Sequence, residues 1–492
     1  MQRYPLHIDG RTKPSSSGQW FPTDNPYEGK PWAEIARGTE ADVDEAVTAA
    51  HRAFTKGPWA ELTASERGAL LRKLGDRLGQ EAHRLAETEV RDNGKLFTEM
   101  HGQMTYLPQW FYYYGGLADK VEGTVIPLDK KGYFNYTRKE PLGVVAIVTP
   151  WNSPLMLLAW KLAPALAAGC TVVIKPSEFT SASTLELAAI IDDVGFPPGV
   201  VNVVTGFGHE VGSALVGHRL VSKISFTGSD TTGRRINEQA ARDLKHVSLE
   251  LGGKSPNIVF ADADLDAAVN GVVSGIFAAT GQTCIAGSRL LVQQNVHDEV
   301  VRRVVELAGT AAIGDPMDPG TQVGPITTPP QYAKVLDYID IAQQEGAQLV
   351  LGGAPATGPA CGNGWFVQPT IFTGVRNDMR IAQEEVFGPV LAVIPFKDEE
   401  EAVAIANDVR FGLGAGVWTS DIGRAFRLAD QIQSGTVWVN TYRAVSYLSP
   451  FGGVKDSGIG RENGIGAIDE YLQDKSVWIN TGAGVGNPFV IR

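Results

Sequence analysis

Gly143-Val144-Val145-Ala146-Ile147-Val148-Thr149-Pro150-Trp151-Asn152-Ser153-Pro154 is an apolar, β-branched run that breaks off into a turn-rich hexapeptide. The helix-like segment Leu155–Ala168 follows, and then a second β-branched run, Val172–Ile174. A strand, a helix-length crossover and another strand make a parallel βαβ unit. The pattern continues to Pro256 through the runs Val201–Val204 and Ile224–Phe226, with helix-like Ser181–Val194 and Glu210–Val216 between the runs. Such alternation predicts a parallel sheet covered by helices on both faces. Ligands gather at the carboxyl ends of such strands, so the residues that follow each run are the first place to look for chemistry.

Outward from this core, a second alternating region runs from Leu265 to about Val439, with strands near Leu290–Val292, Val390–Ile394, Ala415–Trp418 and Val437–Val439. The fold class is therefore α/β with two α/β regions of similar size. Before Gly143, the first forty residues read as short strands and turns. Thr39-Glu40-Ala41-Asp42 and Thr63-Ala64-Ser65-Glu66 then carry the capping-box pattern ahead of amphipathic helices. Val43, Ala46, Val47 and Ala50 share one face of the first helix, and Leu70, Leu71, Leu74 and Leu78 face inward on the second. The aromatic set Trp110–Tyr114 falls in a third helix, as core, interface or stacking platform. Tyr133-Phe134-Asn135-Tyr136-Thr137-Arg138 has β composition and reads as a ribbon reaching toward a partner subunit.

At 492 residues the chain exceeds one ordinary core, and two or three domains are expected. The formal charge of −12 and the lack of a Lys/Arg cluster exclude nucleic acid and anionic membrane as expected partners. Met1–Gly10 has no apolar run of a secretion signal, and Val144–Ile174 is too interrupted by proline and polar residues to span a membrane. Cys170, Cys284 and Cys361 are odd in number and far apart, which points to a reducing, cytoplasmic setting without disulfides. The eight histidines lack metal-ligand spacing, so no metal is expected.

Five stretches stand out. Asn152, between two prolines, is either a turn residue or an amide donor aimed at an oxyanion. Lys175-Pro176-Ser177-Glu178 follows a strand and either clasps a polyhydroxyl such as ribose or forms a solvated helix start. Phe226-Thr227-Gly228-Ser229 and the following Thr231-Thr232-Gly233 suit a diphosphate at a helix N-terminus. Arg234-Arg235 in place of Lys-Ser/Thr disfavours a triphosphate loop, and Gly206-Phe207-Gly208 misses the dinucleotide fingerprint by one residue. Glu250-Leu251-Gly252-Gly253-Lys254 sets a carboxylate beside two glycines, where it can act on water or serve structure. Gly281-Gln282-Thr283-Cys284-Ile285-Ala286-Gly287-Ser288-Arg289 puts a thiol in a small, polar connection after a helix-like run ending at Gly281. That thiol is either a nucleophile or a buried structural one.

These stretches, with Glu384-Glu385-Val386-Phe387-Gly388-Pro389 and Pro450-Phe451-Gly452-Gly453-Val454-Lys455, resemble the NAD(P)-dependent aldehyde dehydrogenase superfamily in order and spacing over essentially the whole chain. The resemblance implies a variant Rossmann cofactor domain from residues 1–122 and 142–250. It also implies a second, catalytic α/β domain at 251–468, and a small β oligomerisation arm from 123–141 and 469–492 in a homodimer or homotetramer. It implies Cys284 as nucleophile, Glu250 as general base, Asn152 in the oxyanion hole and Lys161 as a proton relay. Lys175 and Glu178 match the adenosine-ribose clasp, Ser229 a diphosphate contact, and Glu385 with Phe387 the nicotinamide-ribose side. Thr149, Trp151, Gly208, Phe226, Gly228, Thr232 and Leu251 complete the implied cofactor set. Ser153, Leu157, Trp160, Arg443, Val445 and Phe451 are the implied walls of the aldehyde tunnel. Cys170 matches no catalytic position and is expected in the core, and Cys361 is unassigned.

The implied reaction is oxidation of a small-molecule aldehyde to the acid, through a thioester on Cys284 hydrolysed by water that Glu250 activates. NAD is expected over NADP, because a 2′-phosphate would sit against Glu178, with Lys175 softening the difference. A CoA-acylating relative generally lacks a carboxylate at the position of Glu250. A non-enzymatic NAD-binding scaffold would be expected to lose parts of this set. Ser153, where many members carry a bulky aromatic, is expected to widen the tunnel for aromatic or long-chain aldehydes, and Arg443 to favour a distal carboxylate.

Overall fold

A computed structural model describes residues 1–489. The last three residues of the expected arm lie outside that range. Two large sheets carry the molecule. In the first, five parallel strands stand in the spatial order His246–Glu250, Val221–Thr227, Val144–Val148, Thr171–Lys175, Val201–Val203. Leu6–Ile8 and Arg11–Lys13 extend one edge, and Gly458–Ile459 pairs antiparallel along Glu250 at the other. Chain order begins at the central Val144–Val148, moves out to Val201–Val203, then returns past the start to Val221–Thr227. The direction reverses between Val144–Val148 and Val221–Thr227, so a crevice opens at the carboxyl ends of those two strands. Thr149–Asn152 and Gly228–Ser229 stand there.

In the second sheet six parallel strands follow the order Thr370–Thr373, Val390–Phe396, Arg289–Gln293, Pro256–Val259, Gly414–Trp418, Thr436–Val439, with Gln348–Leu351 antiparallel at one edge. Its central strand, Pro256–Val259, went unread in the sequence because only two of its four residues are β-branched. The ribbon Tyr133–Pro141 pairs antiparallel with Leu472–Asn480 over nine registers and exposes Phe134, Trp478 and Ile479.

Most local expectations match. Thr39 and Thr63 cap helices Glu40–Lys56 and Ala64–Asn93 with reciprocal capping boxes. The helix Pro154–Ala168 is buried along its whole length, which explains its uniformly apolar sequence. Two boundaries differ. The segment read as helix from Glu210 begins as a π-type turn, Gly208–Gly212, before helix Ser213–Gly217. The helix before the cysteine ends at Phe277, three residues short of Thr280, because Ala279 and Thr280 turn left-handed.

Only Leu251–Ser255 joins the last parallel strand of the first sheet to the central strand of the second. Arg289 locks that link from below. Its buried guanidinium donates to the Lys254 carbonyl at 3.0 Å, Asn377 Oδ1 at 3.1 Å, and the Ile405 and Ala406 carbonyls at 2.9 and 2.8 Å. The last two close the C-terminal turn of helix Glu399–Asn407, where a cation opposes the helix dipole. No carboxylate within ion-pair distance shares the charge among the described residues. Arg289→Met leaves these buried acceptors unpaired and should lower stability by at least about 3 kcal/mol, read as a fall in the urea midpoint at unchanged slope. A loss under about 1 kcal/mol would contradict the role given to this side chain.

Candidate active site

The backbone before Cys284 is tightly wound. Ala279 (φ 53°), Thr280 (φ 54°) and Gly281 (φ 69°) are successive left-handed residues, a conformation that costs the two non-glycines free energy. Side-chain hydrogen bonds hold the turn in place: Glu99 Oε1 accepts the Ala279 N–H at 2.8 Å, and Thr280 Oγ1 donates to the Gly324 carbonyl at 3.1 Å. Gln282 accepts from the Thr327 N–H at 2.9 Å and donates to the Pro325 carbonyl at 3.2 Å. Asn152 Nδ2 donates to the Gln282 carbonyl at 3.0 Å, so the carboxyl end of the first sheet is tied directly to the cysteine peptide.

Cys284 stands in the wall between two cavities, and Asn152 and Leu157 line both with it. One cavity, about 130 Å³, is bounded by Trp151, Gly228, Ser229, Leu251, Glu385 and Phe387. The other, about 260 Å³, is bounded by Ser153, Trp160, Arg443, Val445 and Phe451. The tunnel residues expected from sequence thus line a single space beside the thiol. A larger space, about 940 Å³, is a surface groove around Arg37, Glu210 and His218 and shares none of these residues.

On the smaller cavity, Ser229 caps helix Asp230–Ala241, accepting the Thr232 N–H at 3.3 Å. Trp151 and Phe387 meet edge to face with centroids 5.3 Å apart. Glu385 Oε1 accepts the Gly253 N–H at 3.0 Å, and a Cβ on Gly252 would come within 2.5 Å of the same carboxylate. Other expected cofactor residues lie outside this lining. Thr149 and Phe226 are buried at the strand ends behind it, and Gly208 opens the π-type turn. Lys175 and Glu178 form an ion pair of 2.9 Å, and Glu178 faces a neighbouring cavity with Phe207 and Pro329.

Glu250 lies just outside both linings, 4% exposed, with neither carboxylate oxygen hydrogen-bonded. Gly452 faces it so closely that a Cβ there would come within 2.8 Å of Oε1. Burial holds the Glu250 proton well above the usual carboxylate range, and Glu462 adds to the effect while Lys161 and Arg461 oppose it. Lys161 is fully buried and ion-paired with buried Glu462. Burial, then the Glu385 and Glu250 charges, push the Cys284 thiol up to about 12, against a pull from Lys95. The geometry offers a thiol, an amide donor at its shoulder, and a buried carboxylate whose proton affinity burial has raised.

The sequence reading missed Glu462, hidden in a glycine-rich run, and Gln331 and Lys334 on the smaller cavity. It also missed Gln103, Tyr106 and Met156 on the larger one. Trp110, left open between core and platform, is buried, lines the larger cavity and stacks on Trp160 at 6.0 Å. Arg443 lines the same cavity and also donates to the Ser274 carbonyl at 3.1 Å.

Residues 12–477 match the model of the aldehyde dehydrogenase family. The chain is 45% identical, over the full length of both proteins, to (Z)-2-((N-methylformamido)methylene)-5-hydroxybutyrolactone dehydrogenase of Acinetobacter baylyi. It is 46% identical to aldehyde dehydrogenase 1A1 of Gallus gallus, over 96% of this chain and 93% of that one. The structure superposes with a TM-score of 0.98 on betaine aldehyde dehydrogenase of Staphylococcus aureus in complex with NAD+, at 39% identity and full coverage of both chains.

An unperturbed thiol ionises near pH 8.5, and only the thiolate alkylates quickly. With the Cys284 thiol pushed up to about 12, its alkylation by iodoacetamide in the free protein should climb roughly tenfold per pH unit through pH 9–10 without levelling. Peptide mass spectrometry would follow the Cys284 adduct, with Cys284→Ala as the blank. A plateau at or below pH 8.5 would show a thiol less buried, or better supported by cations, than this geometry gives.

Proposed function

The chain belongs to the aldehyde dehydrogenase family, and we propose that it oxidises an aldehyde to the carboxylic acid with NAD on a Cys284 nucleophile. One observation carries this reading: Cys284 and Asn152 stand together in the wall between two cavities, so a group bound on one side meets a group bound on the other at the sulfur. The donor set of the smaller cavity fits the nicotinamide, its ribose and the diphosphate of NAD. The capped helix start at Ser229 suits a diphosphate, Glu385 a ribose, and Trp151 and Phe387 a flat ring. NAD bound there supplies the hydride acceptor.

The chain's own residues do the rest. The Cys284 thiolate adds to the carbonyl carbon, and the oxygen takes up charge beside the Asn152 amide, which turns from the Gln282 carbonyl toward it. One such donor is typically worth about 2.7–4 kcal/mol of barrier. Loss of hydride leaves a thioester on Cys284. Glu250, its proton affinity raised by burial, takes a proton from water, and the resulting hydroxide attacks the thioester, releasing the acid and the Cys284 thiolate. The Lys161–Glu462 pair, electrostatically linked to Glu250, accepts that proton onward. Residues 1–122 with 142–250 act as the cofactor unit and 251–468 as the catalytic unit. The exposed aromatic ribbon of 123–141 and 469–492 serves assembly into a homodimer or homotetramer. Among the described residues no helix is long and apolar enough to cross a membrane, and a small-molecule aldehyde is the partner this reading requires.

The test is turnover of an aldehyde with NAD in the absence of CoA, followed by nicotinamide absorbance. Cys284→Ala should form no NADH yet still bind NAD. Glu250→Gln keeps the volume and removes the base, so it should stop after at most one NADH per site with an acyl adduct on Cys284, a loss of about 10²–10⁴ in steady rate. NADP should give a lower kcat/KM than NAD. Steady CoA-independent turnover near the wild-type rate in Glu250→Gln would remove the role given to that carboxylate. Turnover that requires CoA would make the protein an acylating enzyme.

A further inference from the structure

Lys95 is the least expected residue near the thiol. It follows the αL glycine, Gly94, that ends helix Ala64–Asn93, and it is 4% exposed. A buried ammonium ordinarily has a carboxylate partner. Lys95 Nζ instead donates to Ser153 Oγ at 3.0 Å, its one hydrogen-bond partner among the described residues, and no carboxylate comes within ion-pair distance. Two of its three N–H donors therefore remain unspent. Glu99 and Glu89 lie within electrostatic reach; each gives one oxygen to a backbone N–H, of Ala279 and Leu155, and keeps the other buried without a hydrogen bond, beyond ion-pair distance of Lys95.

Ser153 lines the larger cavity beside Cys284, so this ammonium stands directly behind the cavity wall. Arg443 lines the same cavity, held in a left-handed backbone (φ 64°) with one guanidinium nitrogen anchored on the Ser274 carbonyl. Arg443 is close enough to disfavour the charge on Lys95. Among the described lining residues Arg443 is the one charged group, and no acid faces it; the remainder is aromatic, aliphatic or neutral polar. Glu99 exerts the largest charge effect on Lys95 and favours its ammonium, yet neither Glu99 nor Glu89 lines the cavity, so an anion entering there meets two cations and no acid. Hydrogen bonds from charged donors to a carboxylate are the strong kind, and Arg presents a fork that fits one.

We infer that Lys95, through the opening left by the small Ser153 side chain, and Arg443 together select aldehydes that also carry a carboxylate, with an aliphatic or aromatic body against Trp110, Trp160 and Phe451. This rests on the aldehyde-oxidising reading of the same site and adds the class of substrate. A bulky side chain at position 153 would stand between Lys95 and the cavity.

The test compares a semialdehyde bearing a carboxylate with its methyl ester: succinic semialdehyde for an aliphatic body, 4-carboxybenzaldehyde for an aromatic one. The wild type should favour at least one free acid over its ester by tenfold or more in kcat/KM. Lys95→Met and Arg443→Gln should each lower that acid-to-ester ratio roughly tenfold, chiefly through KM, and Arg443→Lys, which keeps the charge and loses the fork, should restore only part of it. Taking the ratio within each variant cancels any loss of active protein. Should Lys95→Met fail to fold, Arg443→Gln and Ser153→Phe, which walls off Lys95, read the same ratio. The inference is overturned if the wild type takes the esters as well as the acids. It is also overturned if the variants slow both substrates equally, which makes the cations part of the thiol's framework. Ester turnover with NAD preserves the aldehyde-dehydrogenase reading in either case, whereas no turnover of any aldehyde removes both.

Discussion

Everything at the site hangs on a short covalent link. Leu251–Ser255 leaves the carboxyl end of one parallel sheet and enters the amino end of the other, so the active edges of both sheets are forced to face across it. Glycine is required in that link for space. A side chain on Gly252 would strike the Glu385 carboxylate, and one on Gly253 would lie 2.7 Å from the Cys284 carbonyl. Packing that close leaves no freedom for the cysteine peptide to drift. Ser457 adds a further clamp, accepting from the Gly412 N–H and donating to the Gly252 carbonyl at 2.7 Å.

Around this link the molecule tolerates what a stable core normally avoids. Four of the nine left-handed non-glycine residues among the described ones, Ala279, Thr280, Phe387 and Arg443, line one of the two cavities or form the cysteine turn. Buried ionisable groups lack conventional partners. Glu250 has no hydrogen bond, Lys254 Nζ has none, and Lys95 has only a hydroxyl. Burial first, with the Arg289 charge acting on Lys254 and the Arg443 charge on Lys95, brings Lys254 down to about 7 and Lys95 to about 8, while burial raises the Glu250 carboxyl well above its usual range. Titratable groups displaced in opposite directions toward neutral pH are what proton-transfer chemistry needs, and they cost stability to maintain.

The large features of this arrangement were legible in the sequence because they depend on local rules. The alternation from Gly143 to Pro256, both capping boxes and the ribbon at Tyr133 follow from periodicity and composition. Cys284 and Asn152 stood out as residues in unusual turns, their roles and the tunnel residues were implied by the resemblance to a family, and the structure brings them to one place. What escaped depends on long-range placement. Lys95 in Asn93-Gly94-Lys95-Leu96 looks like any exposed lysine after a helix, and only the packing of helix Ala64–Asn93 against Pro154–Ala168 buries it. Glu462 became visible as the partner of Lys161, 301 positions away in sequence. The early end of the helix before Cys284 was hidden because Ala278 and Ala279 have high helix propensity, and the tertiary hydrogen bond from the Ala279 N–H to Glu99 overrides it.

The central claim is that Cys284 separates a cofactor cavity from an aldehyde cavity. A crystal structure of Cys284→Ala with NAD and a slow aldehyde tests it most directly. The expected density places the nicotinamide among Trp151, Leu251, Glu385 and Phe387, the diphosphate at Ser229, and the aldehyde between Trp160 and Phe451 with its carbonyl oxygen toward Asn152. Density for NAD in the Arg37–Glu210 groove, or for both ligands on one side of residue 284, would contradict it.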